Sequence, residues 1–288
     1  MARVDLVPHR ERPEVLTLAS DTADWLLAHG HEVCLLAGDA ELIGHPALGV
    51  DPAAFGGGAD VAVSLGGDGC MLRTVNLVSA TGVPVIGVNL GHLGYLTEVE
   101  PAGLRSALQR FFDGQHGIEE RMLLAVQHHR PSDGGDSLLA EHLALNEAVL
   151  ERPAGGHTVR LDVSLDDGYF TSYVADALIV ATPTGSTAYA FSARGPIVAP
   201  THRALQLTPV SPHMLFDRTL VLDADTIVDV VIAAGREAIL EVDGRVAADL
   251  TAGDRVRCTA SPHVARLVSF GPRDFHRILK AKFGLSDR

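Results

Sequence analysis

The hydrophobic pattern of this chain changes character near Glu119, and that change constrains the fold more than any single motif. Before it, short runs rich in Val and Leu alternate with segments whose apolar residues recur at helical spacing. Val4 to Val7 reads as a strand. Val15, Leu18, Ala19, Ala23, Leu26 and Leu27 fall on one helical face, and Gly30 follows where a helix C-terminal glycine belongs. Residues 32–37 and 60–65 have the length and composition of buried parallel strands, with a loop around Gly56–Gly58 between them. Met71, Leu72, Val75 and Val78 predict a second helix, residues 83–89 another strand, and residues 101–112 a helix opened by proline. Such alternation predicts a parallel sheet covered by helices.

Beyond Glu119 helical periodicity nearly vanishes. Strands are predicted over 120–128, 140–150, 158–166, 169–181, 226–233, 236–242, 254–259 and 263–269, with Asp167-Gly168, Asp243-Gly244 and Gly253-Asp254 as turns. Pro131 to Ser137 reads as an exposed hairpin loop. A short amphipathic helix, Asp274 to Phe283, ends the pattern. The expected fold class is therefore α/β plus β: an N-terminal α/β domain with a parallel sheet over residues 1–115, and a mainly β C-terminal domain over 116–271. Residues 272–288 are expected to pack back on the first domain.

With 288 residues and 47% hydrophobic content the chain can bury a core without disulfides. Its apolar runs stop well short of the roughly 20 residues a membrane span requires, so no transmembrane helix is expected. The N-terminus lacks the basic and apolar regions of a signal peptide. Cys34, Cys70 and Cys258 lie far apart with no CxxC spacing, which fits reduced thiols in the cytoplasm. A formal charge of −13 argues against a nucleic-acid partner, because phosphate backbones are held by Lys and Arg. A phosphorylated ligand would need backbone N–H groups, a few placed basic side chains or a divalent cation. Among fourteen histidines, His29/His31 and His128/His129 are the close sets; without HExxH or Cys/His spacing they are expected to be solvated, and no protein metal site is expected.

Four groups of residues carry candidate chemistry. Gly66-Gly67-Asp68-Gly69 follows a strand and precedes a helix. Glycines there allow positive φ and close approach to a phosphate, the helix N-terminus offers free N–H groups, and Asp68 is poised at the ligand. The competing assignment is an Asp-Gly hairpin turn, which the helical spacing downstream disfavours. Thr182-Pro183-Thr184-Gly185-Ser186-Thr187-Ala188-Tyr189-Ala190-Phe191-Ser192 follows an apolar strand; its hydroxyls suit ribose, phosphate or amide groups, and equally suit a turn with Thr184 or Ser186 capping the next helix. Asn146-Glu147, a polar pair inside an apolar run, needs partners that a nucleotide base and ribose would supply, or else lies on an edge strand. Asp176 interrupts a strand, and Gly91-His92-Leu93-Gly94-Tyr95 places an aromatic ring at the C-terminal edge of the parallel sheet, where α/β folds bind ligands. A strand-end turn and a core tyrosine account for these two equally well.

In order and spacing these motifs, spanning about Asp60 to Gly244, resemble the NAD kinase family. Gly-Gly-Asp-Gly alone is shared with diacylglycerol and sphingosine kinases and with phosphofructokinases; the Thr-Pro-Thr-Gly-Ser-Thr-Ala-Tyr run with an upstream Asn-Glu is far more specific. The resemblance implies phosphoryl transfer from ATP or polyphosphate to the 2′-hydroxyl of the adenosine ribose of NAD, with Mg²⁺ or another divalent cation, in a homodimer or homotetramer. It implies Asp68 as general base on a loop with Gly67 and Gly69, and Tyr95, Asn146 and Glu147 at the adenosine end. Asp176 and the segment with Thr187, Ala188, Tyr189 and Ser192 would meet the rest of NAD, partly across a subunit interface. His157 lies where the family tends to place a ligand contact. Arg73, on the helix after the loop, would help hold phosphates or form an ion pair. The chain departs from the family pattern at Cys70, where Thr or Asn is usual, and at Ala177, where Gly is usual. A lipid kinase of the same superfamily and a non-catalytic NAD sensor are the alternatives.

Overall fold

The computed structural model describes residues 1–90, 94–132, 135–155, 157–272 and 274–285. His92 with its two neighbours, the tip of the expected 131–137 hairpin loop, and the last three residues of the chain lie outside these. The chain divides into two compact units, Met1–Glu120 with Val264–Arg288, and Arg121–His263. Among the described residues no helix is long and apolar enough to cross a membrane.

The first unit contains β1 (Arg3–Pro8), α1 (Pro13–Ala28), β2 (Glu32–Leu36), α2 (Ala37–Leu42), β3 (Gly49–Val50), β4 (Val61–Leu65), α3 (Asp68–Val78), β5 (Val85–Val88) and α4 (Leu104–Phe112). All strand pairs are parallel, in the order β5-β4-β1-β2-β3. β4 and β5 are buried along their whole length, which is why they read as continuous Val/Leu runs rather than alternating ones. Val4, Leu6, Val63, Leu65 and Ile86 from the sheet pack with Ala19, Ala23 and Leu26 of α1 and Leu104 and Leu108 of α4. The proline that was expected to open α4 instead begins a 3-10 turn, Pro101–Gly103. The short helix α2 was not anticipated; its six residues are too few for periodicity to register.

The second unit is built from β6 (Gly117–Ser132) beyond its first four residues, β7 (Gly135–Ala144), β8 (Glu147–Glu151), β9 (Val159–Leu165), β10 (Gly168–Ala175), β11 (Ala177–Ala181), the single-turn α5 (Tyr189–Ser192), β12 (Ala204–Val210), β13 (Leu220–Asp223), β14 (Val228–Ile232), β15 (Ala238–Val242), β16 (Arg245–Leu250) and the first part of β17 (Arg255–Ser269). One antiparallel sheet runs β13-β12-β11-β8-β15-β16; β10, β9, β14 and β17 run in order in another, where β6 pairs with β17 and β7. The larger core of this unit is built from alternating residues that include Leu124, Leu150, Val163, Leu178, Leu207 and Val230, and Val149, Ala177, Ile179, Ala181 and Ala190 form a smaller cluster of their own. The last part of β17 and α6 (Phe275–Phe283) return to the first unit, where Leu267 pairs with Val85 in parallel.

Several boundaries differ from the sequence expectation for identifiable reasons. Residues 140–150 form two strands because the chain breaks at Leu145-Asn146: β7 pairs with β6, whereas β8 pairs with β11 and β15. Residues 169–181 likewise divide at Asp176. Conversely 254–259 and 263–269 are one strand, continuous through Pro262. The Asp243-Gly244 turn has both residues at positive φ, 49° and 71°, as a two-residue hairpin demands. Its counterpart lies one residue earlier than expected, with positive φ at Asp166 and Asp167. His128 corrects the expectation of a solvated pair: it is buried, 3.3 Å from Asp254, whose carboxylate also receives two bonds from Arg130 (2.8 and 2.7 Å). Burial would raise the Asp254 carboxyl, but Arg130, the Thr251 N–H and His128 together hold it well below the usual range.

Candidate active site

In the first unit the loop between β4 and α3 holds Asp68 by contacts its own sequence neighbours cannot make. Hydrogen bonding extends the sheet past its strand ends, with Gly66 N–H donating to Val88 O at 3.1 Å, so the loop that follows β5 runs beside the glycine loop. From there Tyr95 N–H donates to one carboxylate oxygen of Asp68 (3.0 Å) and Leu96 N–H to the other (3.1 Å). Gly94 makes this approach possible: a Cβ there would lie 2.4 Å from Oδ1 of Asp68. Each carboxylate oxygen keeps a lone pair for a ligand, and the side chain is half-buried.

None of the loop glycines has the positive φ expected of it, since neither Gly66, Gly67 nor Gly69 is left-handed, and Gly66 alone is required by packing. A Cβ on Gly66 would meet the Cβ of Cys70 at 2.6 Å, whereas one on Gly67 or Gly69 would enter open space. Cys70, buried behind the loop, donates its Sγ–H to Val7 O (3.2 Å). Burial pushes its thiol up, so the residue that departs from the family pattern is a packing group. Arg73 donates to Pro8 O (3.2 Å) and pairs with the fully buried Asp39 at 2.5 Å. Tyr95 carries the ammonium of Lys282 5.3 Å from its ring centre.

In the second unit Asn146-Glu147 and the Thr-rich segment are brought together. Asn146 sits in the break between β7 and β8, where its carbonyl accepts from Thr182 N–H at 2.8 Å and lies against Gly185, whose absent Cβ would fall 2.2 Å from it. Thr182, not Thr184 or Ser186, caps the turn that follows: its hydroxyl accepts from Gly185 N–H (3.2 Å) and donates to Leu145 O (2.5 Å). Ser186 is tied to Val198 instead. Asp243, which the sequence marked only as a turn residue, accepts the backbone N–H groups of Leu145, Asn146 and Glu147 (2.8 to 3.1 Å). Nothing in an Asp-Gly pair signals that second role.

Glu147 begins β8 almost fully buried, and burial first, with Asp243 beside it, pushes its carboxyl up to about 8 against an opposing bond from Tyr189 N–H. Both effects favour its protonated, neutral form. Its Oε2 is buried without a hydrogen-bond partner among the described residues, an arrangement that costs roughly 1–3 kcal/mol until a ligand supplies one. Thr187 and Ala188 are half-buried and Tyr189 is exposed at the start of α5; burial and then the carboxylates Glu151, Asp176 and Glu241 raise its phenol. Asp176 lies in the bend between β10 and β11, paired with Arg152 at 2.9 Å. Ser192 lines a cavity of about 420 Å³ together with Arg194, Val210, Met214 and Arg218, a cavity that Asn146, Glu147 and Tyr189 do not reach. His157 is exposed in the β8–β9 loop without a polar partner among the described residues.

Comparison with known proteins gives this geometry a family. Residues 50–116 match the ATP-NAD kinase N-terminal domain and residues 145–270 the ATP-NAD kinase C-terminal domain. The NAD kinase of Heliobacterium modesticaldum is 39% identical over 284 residues, covering 98% of each chain. That of Moorella thermoacetica is 38% identical over 98% of this chain and 89% of its own. In fold the chain is similar to yeast NADH kinase complexed with NADH, with a TM-score of 0.87 at 24% identity over 100% of this chain and 89% of that one. It is also similar to an NAD kinase from Archaeoglobus fulgidus in complex with ATP, with a TM-score of 0.71 at 22% identity over 99% and 100%. An α/β unit presenting an aspartate on a glycine loop, a β unit presenting a buried Asn-Glu pair, and full-length similarity of this order place the chain in the NAD kinase family.

Proposed function

We propose that this protein phosphorylates the 2′-hydroxyl of the adenosine ribose of NAD, drawing the phosphoryl group from ATP or polyphosphate to give NADP. The observation that carries this reading is Asp68, fixed through both carboxylate oxygens on an open glycine loop at the carboxyl edge of a parallel sheet. As the ribose oxygen attacks the terminal phosphorus, the bond from that phosphorus to the bridging oxygen breaks. ADP, or a polyphosphate shortened by one unit, departs, and Asp68 takes the hydroxyl proton. Alignment matters more than basicity here, and the N–H bonds from Tyr95 and Leu96 supply it.

Asn146 and Glu147 bind the adenosine end of NAD, and Tyr95 is a further NAD contact. The neutral Glu147 acid, with its unpartnered Oε2, suits a ligand hydroxyl or amine. Asp176 and the segment with Thr187, Ala188, Tyr189 and Ser192 meet the remainder of the dinucleotide, partly across a subunit interface, and His157 is a further contact. The residues present fit Mg²⁺ carried by the donor: no three His, Cys, Asp or Glu side chains cluster as a metal site among the described residues, but Mg²⁺ is ordinarily held by one or two carboxylates plus phosphates and water. Asp68 supplies such a carboxylate. Bound there, the ion would neutralise charge developing on the donor. We place the enzyme in the cytoplasm, where its three free cysteines stay reduced, as a homodimer or homotetramer. Family membership favours this reading over a lipid kinase.

The test is NADP formation by the purified protein with NAD, Mg²⁺ and either ATP or polyphosphate, with Asp68→Asn alongside. The wild type is expected to make NADP, and the variant to lose about 10²- to 10⁴-fold in kcat while still binding NAD. NAD binding without turnover on any donor would sink the kinase and leave the sensor.

A further inference from the structure

Strand order in the first unit grows outward in both directions from the β1–β4 pair: β2 and β3 lie on one side, β5 on the other. Such a reversal opens a crevice at the carboxyl ends of the two central strands, the usual ligand position in open α/β sheets. Two loops leave the sheet there, His9–Arg12 after β1 and Gly66–Gly69 after β4. They are stitched together by His9 N–H to Leu65 O (2.9 Å), Cys70 Sγ to Val7 O (3.2 Å) and Arg73 Nη1 to Pro8 O (3.2 Å).

Beside this crevice Asp39, in the first turn of α2 and fully buried, binds two guanidinium groups at once. Its Oδ1 accepts from Arg10 Nε at 2.6 Å and its Oδ2 from Arg73 Nη2 at 2.5 Å. One carboxylate between two arginines leaves a net positive charge. The two arginines divide the work. The Arg73 side chain is 16% exposed and bonds backward to Pro8, whereas that of Arg10 is 54% exposed. With Nε bonded to Asp39, Arg10 leaves both Nη groups without a hydrogen-bond partner among the described residues, a fork suited to phosphate oxygens.

We propose that Arg10 is a ligand for the phosphates of the phosphoryl donor, and that Asp39 is the positioning residue that aims it. This rests on the kinase reading above and extends it to a basic side chain for the donor phosphates. The two sides of the glycine loop differ in chemistry. Asp68 is held from the β5 side by Tyr95 and Leu96, which is the acceptor side; Arg10 stands on the β1 side. Donor phosphates lying over Gly67 and Gly69, where no Cβ intrudes, place the leaving group toward Arg10 and the attacking hydroxyl toward Asp68. That is the in-line arrangement phosphoryl transfer needs. A chain with a formal charge of −13 also gains most from a local cation when its substrate is a polyanion.

The experiment separates donor from acceptor. Steady-state kinetics of the full chain with Arg10→Ala, Arg10→Lys and Asp39→Asn are measured against varied ATP at saturating NAD and the converse, with Tm for each. Titration calorimetry of tripolyphosphate with Mg²⁺ is run without NAD. Loss of one charge-assisted contact predicts a KM for ATP about 10- to 100-fold higher in Arg10→Ala, partial rescue in Arg10→Lys, and a KM for NAD within about twofold of wild type. Tripolyphosphate affinity should fall in parallel. An unchanged KM for ATP and unchanged tripolyphosphate binding in a folded Arg10→Ala protein would overturn the assignment while leaving NADP formation, and hence the kinase reading, intact. Should Arg10→Ala not fold, Arg10→Lys and Arg10→Gln carry the same comparison. Failure of the wild type to make NADP would instead remove the reading on which the assignment stands.

Discussion

A methyl group at position 94 would put carbon 2.4 Å from Oδ1 of Asp68 and 2.5 Å from Oγ1 of Thr97, and the Asp68 carboxylate cannot swing clear without releasing its bonds from Tyr95 and Leu96 N–H. Gly94→Ala is accordingly expected to cost about 10²-fold in kcat, the scale of a misplacement near 1 Å, with secondary structure by circular dichroism unchanged; wild-type kcat in that variant would refute the role assigned to this approach. Glu147 makes a different kind of statement, about pH. Its carboxyl stands at about 8 in the fold against about 4.3 in an unfolded chain. Between those values the folded protein keeps a proton the unfolded chain has lost, so the contribution is intact below pH 4.3 and disappears as pH rises through 8. Wild-type Tm should therefore fall relative to that of Glu147→Gln between pH 5 and pH 8.5 in a melting series, and parallel curves would contradict the buried acid. Asp68, Asn146, Glu147 and the Thr-rich run were visible in the sequence because each interrupts an apolar pattern. Asp243, Asp39 and Arg10 were not: their partners lie 29 to 98 positions away, beyond the reach of local spacing.

Elements show the same division between local and non-local information. The helices α1 and α3 and the buried strands of the first unit were legible because period and length are set by the chain's own neighbours. Asn146 and Asp176 stood out as polar interruptions, but the change of strand partners at each did not, because an apolar strand keeps the same pattern on both sides of a switch from one sheet to another. The β12 strand, with Gln206 and Pro209 inside it, escaped for the opposite reason, having partners on both sides but no clean alternation. Helix α6 was expected from its amphipathic spacing, and Asp274 caps it by accepting from Arg277 N–H at 3.0 Å. None of its residues is fully buried, so its contribution lies in Lys282 against Tyr95 rather than in the core. A cation–π contact of this sort is worth about 0.5–1 kcal/mol at exposed sites. Lys282→Ala is expected to raise the KM for NAD about two- to fivefold with Tm nearly unchanged, and an unaltered KM would detach the helix from the site.

At the scale of the whole molecule the first unit is discontinuous, Met1–Glu120 being completed by Val264–Arg288. The returning segment supplies Leu267 beside Val85, Arg266 on Gly82 O (3.0 Å), Phe270 N–H on Glu98 (3.2 Å), and Phe270 O for Arg110 (2.9 Å). A fragment of residues 1–120 is expected to melt without cooperativity, and to recover a cooperative transition when a 264–285 peptide is added; a sharp transition for the fragment alone would disprove the dependence. The sequence hinted at such a return through its terminal helix, but a strand shared by two units looks like any other strand until its partners are known. There is also a consequence in time. The ribosome delivers residues 1–120 first, yet the strand that covers β5 emerges about 140 residues later, roughly 7–30 s at ordinary elongation rates. The middle unit, contiguous in the chain, has everything it needs while the earlier one still waits with an open sheet edge. In a growing cell, then, the part made first is the part finished last, and it is during that interval that a nascent copy is most exposed to pairing with the wrong neighbour.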